Sequence, residues 1–144
     1  MDSIERSLKL LIVLSRAHRS VHDSLQKNIA DKGLNLSEFA VLELLYHKGE
    51  HSIQKIGDRI LVSSGSMTYI VNKLAKKGYV HRRQCTEDRR VYYASITEIG
   101  SALMDEYFPY HAKQIENMFS VLDSREQQYL IEALKKIGLS AQLD

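Results

Sequence analysis

Apolar positions along the chain recur mostly at helical spacing, and the first segment carries them in excess. Leu8, Leu10, Leu11, Ile12, Val13 and Leu14 are apolar on every side of a helix. Such a helix must be covered on more than one face. A chain this short has few helices to spare, so a second copy of the protein is the expected cover. Asp2 with Glu5 three residues on reads as a capping box starting this helix near Asp2, and Gly33 stops it. A second helix is predicted from Ser37 to Lys48, with Ser37 as cap, Leu36 and Val41 as a hydrophobic staple, and Gly49 as its end. Ile53, Ile56 and Ile60 mark one face of a short third helix capped by Ser52. A tight turn at Leu61–Ser63 leads into a fourth helix that ends at Gly78. There Met67, Ile70, Val71 and Leu74 fall at i, i+3, i+4 and i+7 and pack inward.

The period then changes from helical to two. Tyr79 to Gln84 and Val91 to Ile96 read as short strands, with Tyr92, Ala94 and Ile96 on one face of the second and Tyr93 and Ser95 on the other. The six residues between them form a hairpin tip. Thr97 caps a fifth helix, which Pro109 is expected to kink or split. Ile115, Met118, Phe119 and Leu122 continue at helical spacing. Ser124 with Gln127 reads as the capping box of a last helix, striped by Leu130, Ala133, Leu134 and Ile137 and ended by Gly138. The prediction is a mainly α protein: a winged helix-turn-helix lobe over 35–98 with a two-stranded wing, flanked by terminal helices over 1–34 and 99–144 that dimerise.

The 144 residues fit a single domain over 1–144 with its own core, and 44% hydrophobic with 26% charged residues is ordinary for a globular protein. One cysteine excludes an internal disulfide framework and fits a reducing compartment. The Met-Asp-Ser-Ile-Glu start is acidic where a signal peptide would be basic, and the Leu8–Leu14 run is too short to span a bilayer. A cytoplasmic protein without membrane attachment is expected. Seven glycines, mostly helix stops, form no phosphate loop, and no Ser/His/Asp order or metal-ligand set stands out. An enzyme, a cofactor and a catalytic residue are therefore not expected.

Charge changes the picture. Between Lys73 and Arg90 lie seven Lys/Arg and two acids, a local net of +5 on a chain of +2, which leaves −3 for the remainder. Such an asymmetry is the footprint of a surface that meets a polyanion. The outward face of the fourth helix presents Ser64, Ser66, Thr68, Tyr69, Asn72, Lys73 and Lys76, with no Asp or Glu among them. Hydroxyls and amides can bond base edges, and cations can reach phosphates, so the helix suits the major groove of duplex DNA. At the hairpin, Arg89 or Arg90 could enter the adjacent minor groove. Asp88 would orient a neighbouring arginine, and Arg82 and Arg83 suit phosphate contact. The competing reading of the same basic surface is a winged-helix module that docks an acidic protein partner.

The run Leu74-Ala-Lys-Lys-Gly78-Tyr-Val-His-Arg82-Arg83, then Glu87-Asp88-Arg89-Arg90 and Ile96-Thr97-Glu98-Ile99-Gly100, resembles the signature of the multiple-antibiotic-resistance regulator (MarR) family. The resemblance covers nearly the whole chain in element order. It implies a homodimer that binds pseudo-palindromic operator DNA, with intertwined terminal helices and release of DNA by small ligands or thiol oxidation. Asp88 and Arg90 match the family's Asp-x-Arg wing, and Thr68 matches a position that often reads bases. Tyr69 and Asn72 stand where arginine and aspartate are frequent, so operator preference does not transfer. The runs Phe39–Gly49 and Phe108-Pro109 are similar to regulators of quinone and hydroquinone detoxification genes, which implies a phenolic or quinone effector and a stress-responsive repressor. The resemblance also implies an effector pocket, for which His18, Phe39, Tyr46, Tyr107 and His111 are candidates; simple core and interface packing would explain the same residues. Cys85, at the hairpin tip among arginines, is a candidate redox sensor, against the plainer reading of an inert surface thiol. His18 and His22 have the i, i+4 spacing of a helical metal pair, and His111 could join them, but no local carboxylate or cysteine completes a set, so no metal is predicted.

Overall fold

In the computed structural model, which describes residues 1–60 and 64–143, six helices and a small antiparallel sheet are found among the described residues. Helix α1 (Ser3–Ile29) starts from Asp2, whose carboxylate accepts the Glu5 N–H at 2.8 Å while Glu5 accepts the Asp2 N–H at 3.1 Å. A 3₁₀ turn, Ala30–Lys32, carries the chain to Gly33, whose φ of 72° is the left-handed conformation glycine adopts without strain.

Helix α2 (Leu36–Lys48) begins earlier than its hydroxyl-cap signal suggests. Its cap is Asn35, not Ser37: the Asn35 side chain accepts the Glu38 N–H at 2.8 Å, and Glu38 accepts the Asn35 N–H at 3.1 Å. Asparagine caps at least as well as serine, and only Asn35 has a glutamate three residues on to reciprocate. The staple positions move accordingly to Leu34 and Phe39, both buried, rather than Leu36 and Val41.

Helix α3 (Ile53–Ile60) starts where the Ser52 hydroxyl accepts the Lys55 N–H at 3.3 Å. The expected turn at Leu61–Ser63 lies outside the described residues. Helix α4 (Ser64–Lys76) buries Met67, Ile70, Val71 and Leu74, as its spacing predicts. It closes with Gly78 at φ 84° and a Tyr79 N–H bond to the Leu74 carbonyl.

The sheet has three strands, not two. Strands β2 (Val80–Gln84) and β3 (Tyr92–Ile96) form the predicted hairpin, but β1 (His51–Ser52) pairs with β3 on its other edge, giving the order β1-β3-β2. Two residues are too few to display a period, so β1 leaves no trace in the apolar pattern. Thr97 then caps helix α5 (Glu98–Phe119): its hydroxyl accepts the Gly100 N–H at 3.1 Å and donates to the Gly78 carbonyl at 2.6 Å. Gly100 is required here, because a Cβ would lie 2.3 Å from the Tyr79 carbonyl oxygen.

Pro109 lies inside α5 without splitting it. A helix of 22 residues sustains the loss of one rung to the missing N–H. Helix α6 (Ser124–Leu143) is capped by Asp123 with Glu126, not by Ser124 with Gln127; Gln127 instead donates to the Phe119 carbonyl at the end of α5 and to the Leu122 carbonyl in the turn that follows. Nor does Gly138 end α6, since nothing crowds it and its backbone stays helical.

The chain forms two compact units, Met1–Met104 and Asp105–Asp144, with the boundary inside α5. The core of the first is built from Leu42, Leu45, Ile56, Met67, Val71 and Leu74, with Ala94 of β3 and Met104. By contrast, Leu8, Leu10, Leu11 and Val13 of α1 are each more than half exposed, and α6 exposes Leu130, Ile131, Leu134 and Ile137. No described helix is long and apolar enough to cross a membrane.

Candidate nucleic-acid interface

The start of α3, the outer face of α4 and the β2–β3 hairpin meet around an open cleft of about 400 Å³. Ser52, Ile53 and Gln54 line it from one side, Thr68 from α4, and Arg82, Arg90, Val91 and Tyr92 from the wing. The face of α4 toward solvent carries Ser66, Thr68, Tyr69 and Lys76, with Asn72 and Lys73 half-buried beside them. The helix contains no acid. Ser64 belongs to the predicted set, but its side chain lies outside the described residues.

The wing is a braced structure. Asp88 holds Arg90 in a two-pronged ion pair, Nε to Oδ1 and a terminal nitrogen to Oδ2, both at 3.1 Å, and also accepts the Arg90 N–H at 3.0 Å. The arginine side chain is nonetheless 90% exposed. A planar fork held by both carboxylate oxygens has few rotamers left, so it projects in one direction. These bonds hold the Asp88 carboxyl below its ordinary pKa. Gln84 adds a bond from its side-chain amide to the Arg89 carbonyl at 2.9 Å, and the Cys85 N–H donates to the Val91 carbonyl at 2.8 Å.

The structure divides the cationic run into separate roles. Lys77 does not face outward as a free charge: its ammonium donates to Glu38 Oε2 at 2.7 Å and to the Gly33 carbonyl at 2.8 Å. Arg83 is paired with Glu50 at 2.8 Å and sits 4.8 Å over the Tyr93 ring; the Glu50 hydrogen bond and charge raise its pKa. Arg82 lies 4.5 Å over the Tyr92 ring at the cleft wall, its Nε buried without a hydrogen-bond partner among the described residues. The two arginines, adjacent in sequence, therefore occupy opposite faces of β2, one beside the cleft and one tied to the turn after α2. Ser52 and Gln54 are cleft residues that the sequence reading passed over. Their only sequence signal is position: Gln54 is the first polar residue after the α3 cap.

The remaining candidates are more dispersed. Cys85 is half-buried and free. His18 is exposed on α1, its ring 6.2 Å from that of His22. Phe39 is buried in the core of the first unit, and Tyr46 packs edge-on to His47. In the second unit Tyr107 and His111 are buried, with ring centres 6.0 Å apart. No group of three or more His, Cys, Asp or Glu able to hold a metal occurs among the described residues.

A sequence model of the MarR family matches residues 34–92, the span from the end of the α1–α2 turn to the start of β3. The chain is 53% identical to the HTH-type transcriptional regulator MhqR of Bacillus subtilis, over 95% of this chain and 94% of that regulator. The chain belongs to the MarR family. Its fold matches that of AbsC, a MarR family transcriptional regulator from Streptomyces coelicolor, with a TM-score of 0.86 at 20% identity over 100% of this chain and 98% of AbsC. It also matches AbfR solved in its reduced form on DNA, with a TM-score of 0.77 at 21% identity over 98% of this chain and 96% of AbfR. In this winged-helix fold, α4 is the second helix of the helix-turn-helix and the β2–β3 hairpin is the wing. This regulator carries both, together with the Asp88–Arg90 pair.

Proposed function

We propose that this regulator is a cytoplasmic repressor that binds a pseudo-palindromic operator as a homodimer and releases it on meeting a small phenolic or quinone effector. The observation that carries the reading is the recognition face itself: an acid-free α4 surface beside a wing arginine fixed by Asp88. In this reading Ser66, Thr68, Tyr69 and Asn72 contact base edges. Lys73, Arg82 and Arg89 contact phosphate, and Arg90 enters the minor groove. Arg83 acts through Glu50 to hold the wing.

Dimerisation follows from the exposed leucines of α1, a surface that would be costly to leave in water. Two copies place two recognition helices roughly 34 Å apart, one turn of duplex. The effector class comes from the resemblance of the Phe39–Gly49 and Phe108-Pro109 runs to regulators of quinone and hydroquinone detoxification genes. The aromatic and histidine side chains of α5 offer an apolar wall with polar tips. Alkylation of Cys85 is a second route to release, since the thiol sits in the hairpin whose geometry aims Arg90.

A gel shift with duplex DNA from the regulator's own upstream region tests the reading. Affinity should fall about 10³-fold or more between 50 and 200 mM salt if six or more phosphates are neutralised. Arg90→Ala should bind about tenfold to a hundredfold more weakly. Binding that is indifferent to salt, or equal for Arg90→Ala, refutes the assignment. Cys85→Ser protein that still releases DNA on quinone treatment removes the thiol route and leaves the pocket route.

A further inference from the structure

Among the described residues of the 35–98 lobe, Tyr69 is the only large apolar side chain more than about a third exposed, at 65%. Every other exposed leucine, isoleucine, methionine, valine, phenylalanine or tyrosine among the described residues lies at the N-terminus (Met1) or on α1, on α5 or α6, or on the turn between those two helices. Those have an apolar partner to expect; Tyr69 stands alone in the middle of a polar face. Its neighbours are Thr68, the preceding residue, on the cleft side and, one turn on, Lys73, whose ammonium lies 5.6 Å from the ring centre. A cation over one ring face limits the side chain to orientations that keep that contact and leaves the ring edge and opposite face outward.

We infer that Tyr69 is a specificity-determining residue that selects thymine, its ring packing against the C5-methyl group in the major groove. The inference rests on the DNA-binding reading above. Of the groups a base pair offers in that groove, the thymine methyl is the one apolar feature, and apolar side chains on recognition helices are matched to it. A hydrogen-bonding role for the ring alone is excluded by its chemistry, and the phenol oxygen adds only one polar atom at its tip. Lys73, held against the ring, brings its charge to the phosphates of the same half-site, so one pair of side chains four residues apart both reads and anchors.

The test begins with duplexes enriched by the protein from a random-sequence pool. Each thymine of the enriched half-site is then replaced by deoxyuridine, which removes only the methyl. At one thymine per half-site the wild type should lose about fourfold in affinity, and about fifteenfold when both half-sites are changed. Tyr69→Ala should bind the thymine and uracil duplexes equally, while Tyr69→Phe should keep the preference. Tyr69 is largely exposed, so both variants should melt with the wild type, and the melting curve is recorded alongside. Uracil substitution without effect at every thymine of a bound half-site overturns the inference, as does a Tyr69→Ala protein that still prefers thymine. Enrichment of no duplex at all would instead overturn the DNA-binding reading.

Discussion

Lys77 belongs by sequence to the cationic run, but its ammonium is bonded to the nearly buried carboxylate of Glu38, 3% exposed, and to the Gly33 carbonyl. Replacing Lys77 by Met keeps the stem and removes the charge. Glu38 then keeps the Asn35 N–H as a donor but loses the ammonium, inside the core of the lobe. Stranding one member of a buried pair costs about 3–5 kcal/mol. The Lys77 side chain is 32% exposed, and water at that mouth screens the pair, so about 2–3 kcal/mol is expected. For a chain of this size that lowers the melting temperature by about 6–10 °C at fixed protein concentration. The double variant Lys77→Met/Glu38→Gln should recover part of the loss, because a neutral amide needs no counter-ion and its carbonyl can still accept the Asn35 N–H. The salt dependence of DNA binding should stay that of the wild type, since the ammonium is committed inside the lobe and releases no counter-ion from a phosphate. A Lys77→Met protein as stable as the wild type, or one whose salt slope falls by about one, would refute the assignment; the second result would return Lys77 to the DNA surface.

Gly100→Ala should destabilise by about 2–3 kcal/mol, read by denaturant titration, because its Cβ would collide with the Tyr79 carbonyl and with Ile96; a neutral result would mean the α5 start can shift away from the hairpin. The Asp88 carboxyl, held below its ordinary pKa by Arg90, contributes stability that is present at neutral pH and lost only as pH falls through that lowered value. Carboxyl NMR should therefore find Asp88 still ionised at a pH where an unpaired aspartate is half protonated; titration at or above the ordinary value would show the ion pair absent. Leu11→Glu, placing a charge on the exposed apolar side of α1, should weaken self-association about 100-fold or more in sedimentation equilibrium, and unchanged association would place the dimer contact elsewhere.

Much of the lobe was legible because burial imposes a period. Met67, Ile70, Val71 and Leu74 could be assigned to the core from spacing alone, and Tyr92 to Ile96 to a strand from alternation. Caps were less legible where two candidates stood close together. Asn35 and Ser37 both offer an oxygen, and only the reciprocal bond from Glu38 decides between them; Asp123 and Ser124 repeat the problem with Glu126. Pairings between distant segments left no local mark. His51–Ser52 is too short to alternate, and nothing near Lys77 or Arg83 in sequence signals Glu38 or Glu50, 39 and 33 residues away. The same gap affected the recognition site: Ser52 and Gln54 reach the cleft only because the sheet edge brings α3 beside the wing.

The small strand at His51–Ser52 ties that wing to the helix-turn-helix in a way that constrains engineering. Ser52 pairs with Tyr93 across the sheet and, through its hydroxyl, starts α3, so one residue sets both the hairpin's seat and the helix's first turn. A hairpin transplanted from another member of the family would arrive without its outer seam. Chimeras that exchange DNA preference should therefore carry the 51–52 dipeptide and Glu50 with residues 80–96, as one graft drawn from two stretches of sequence.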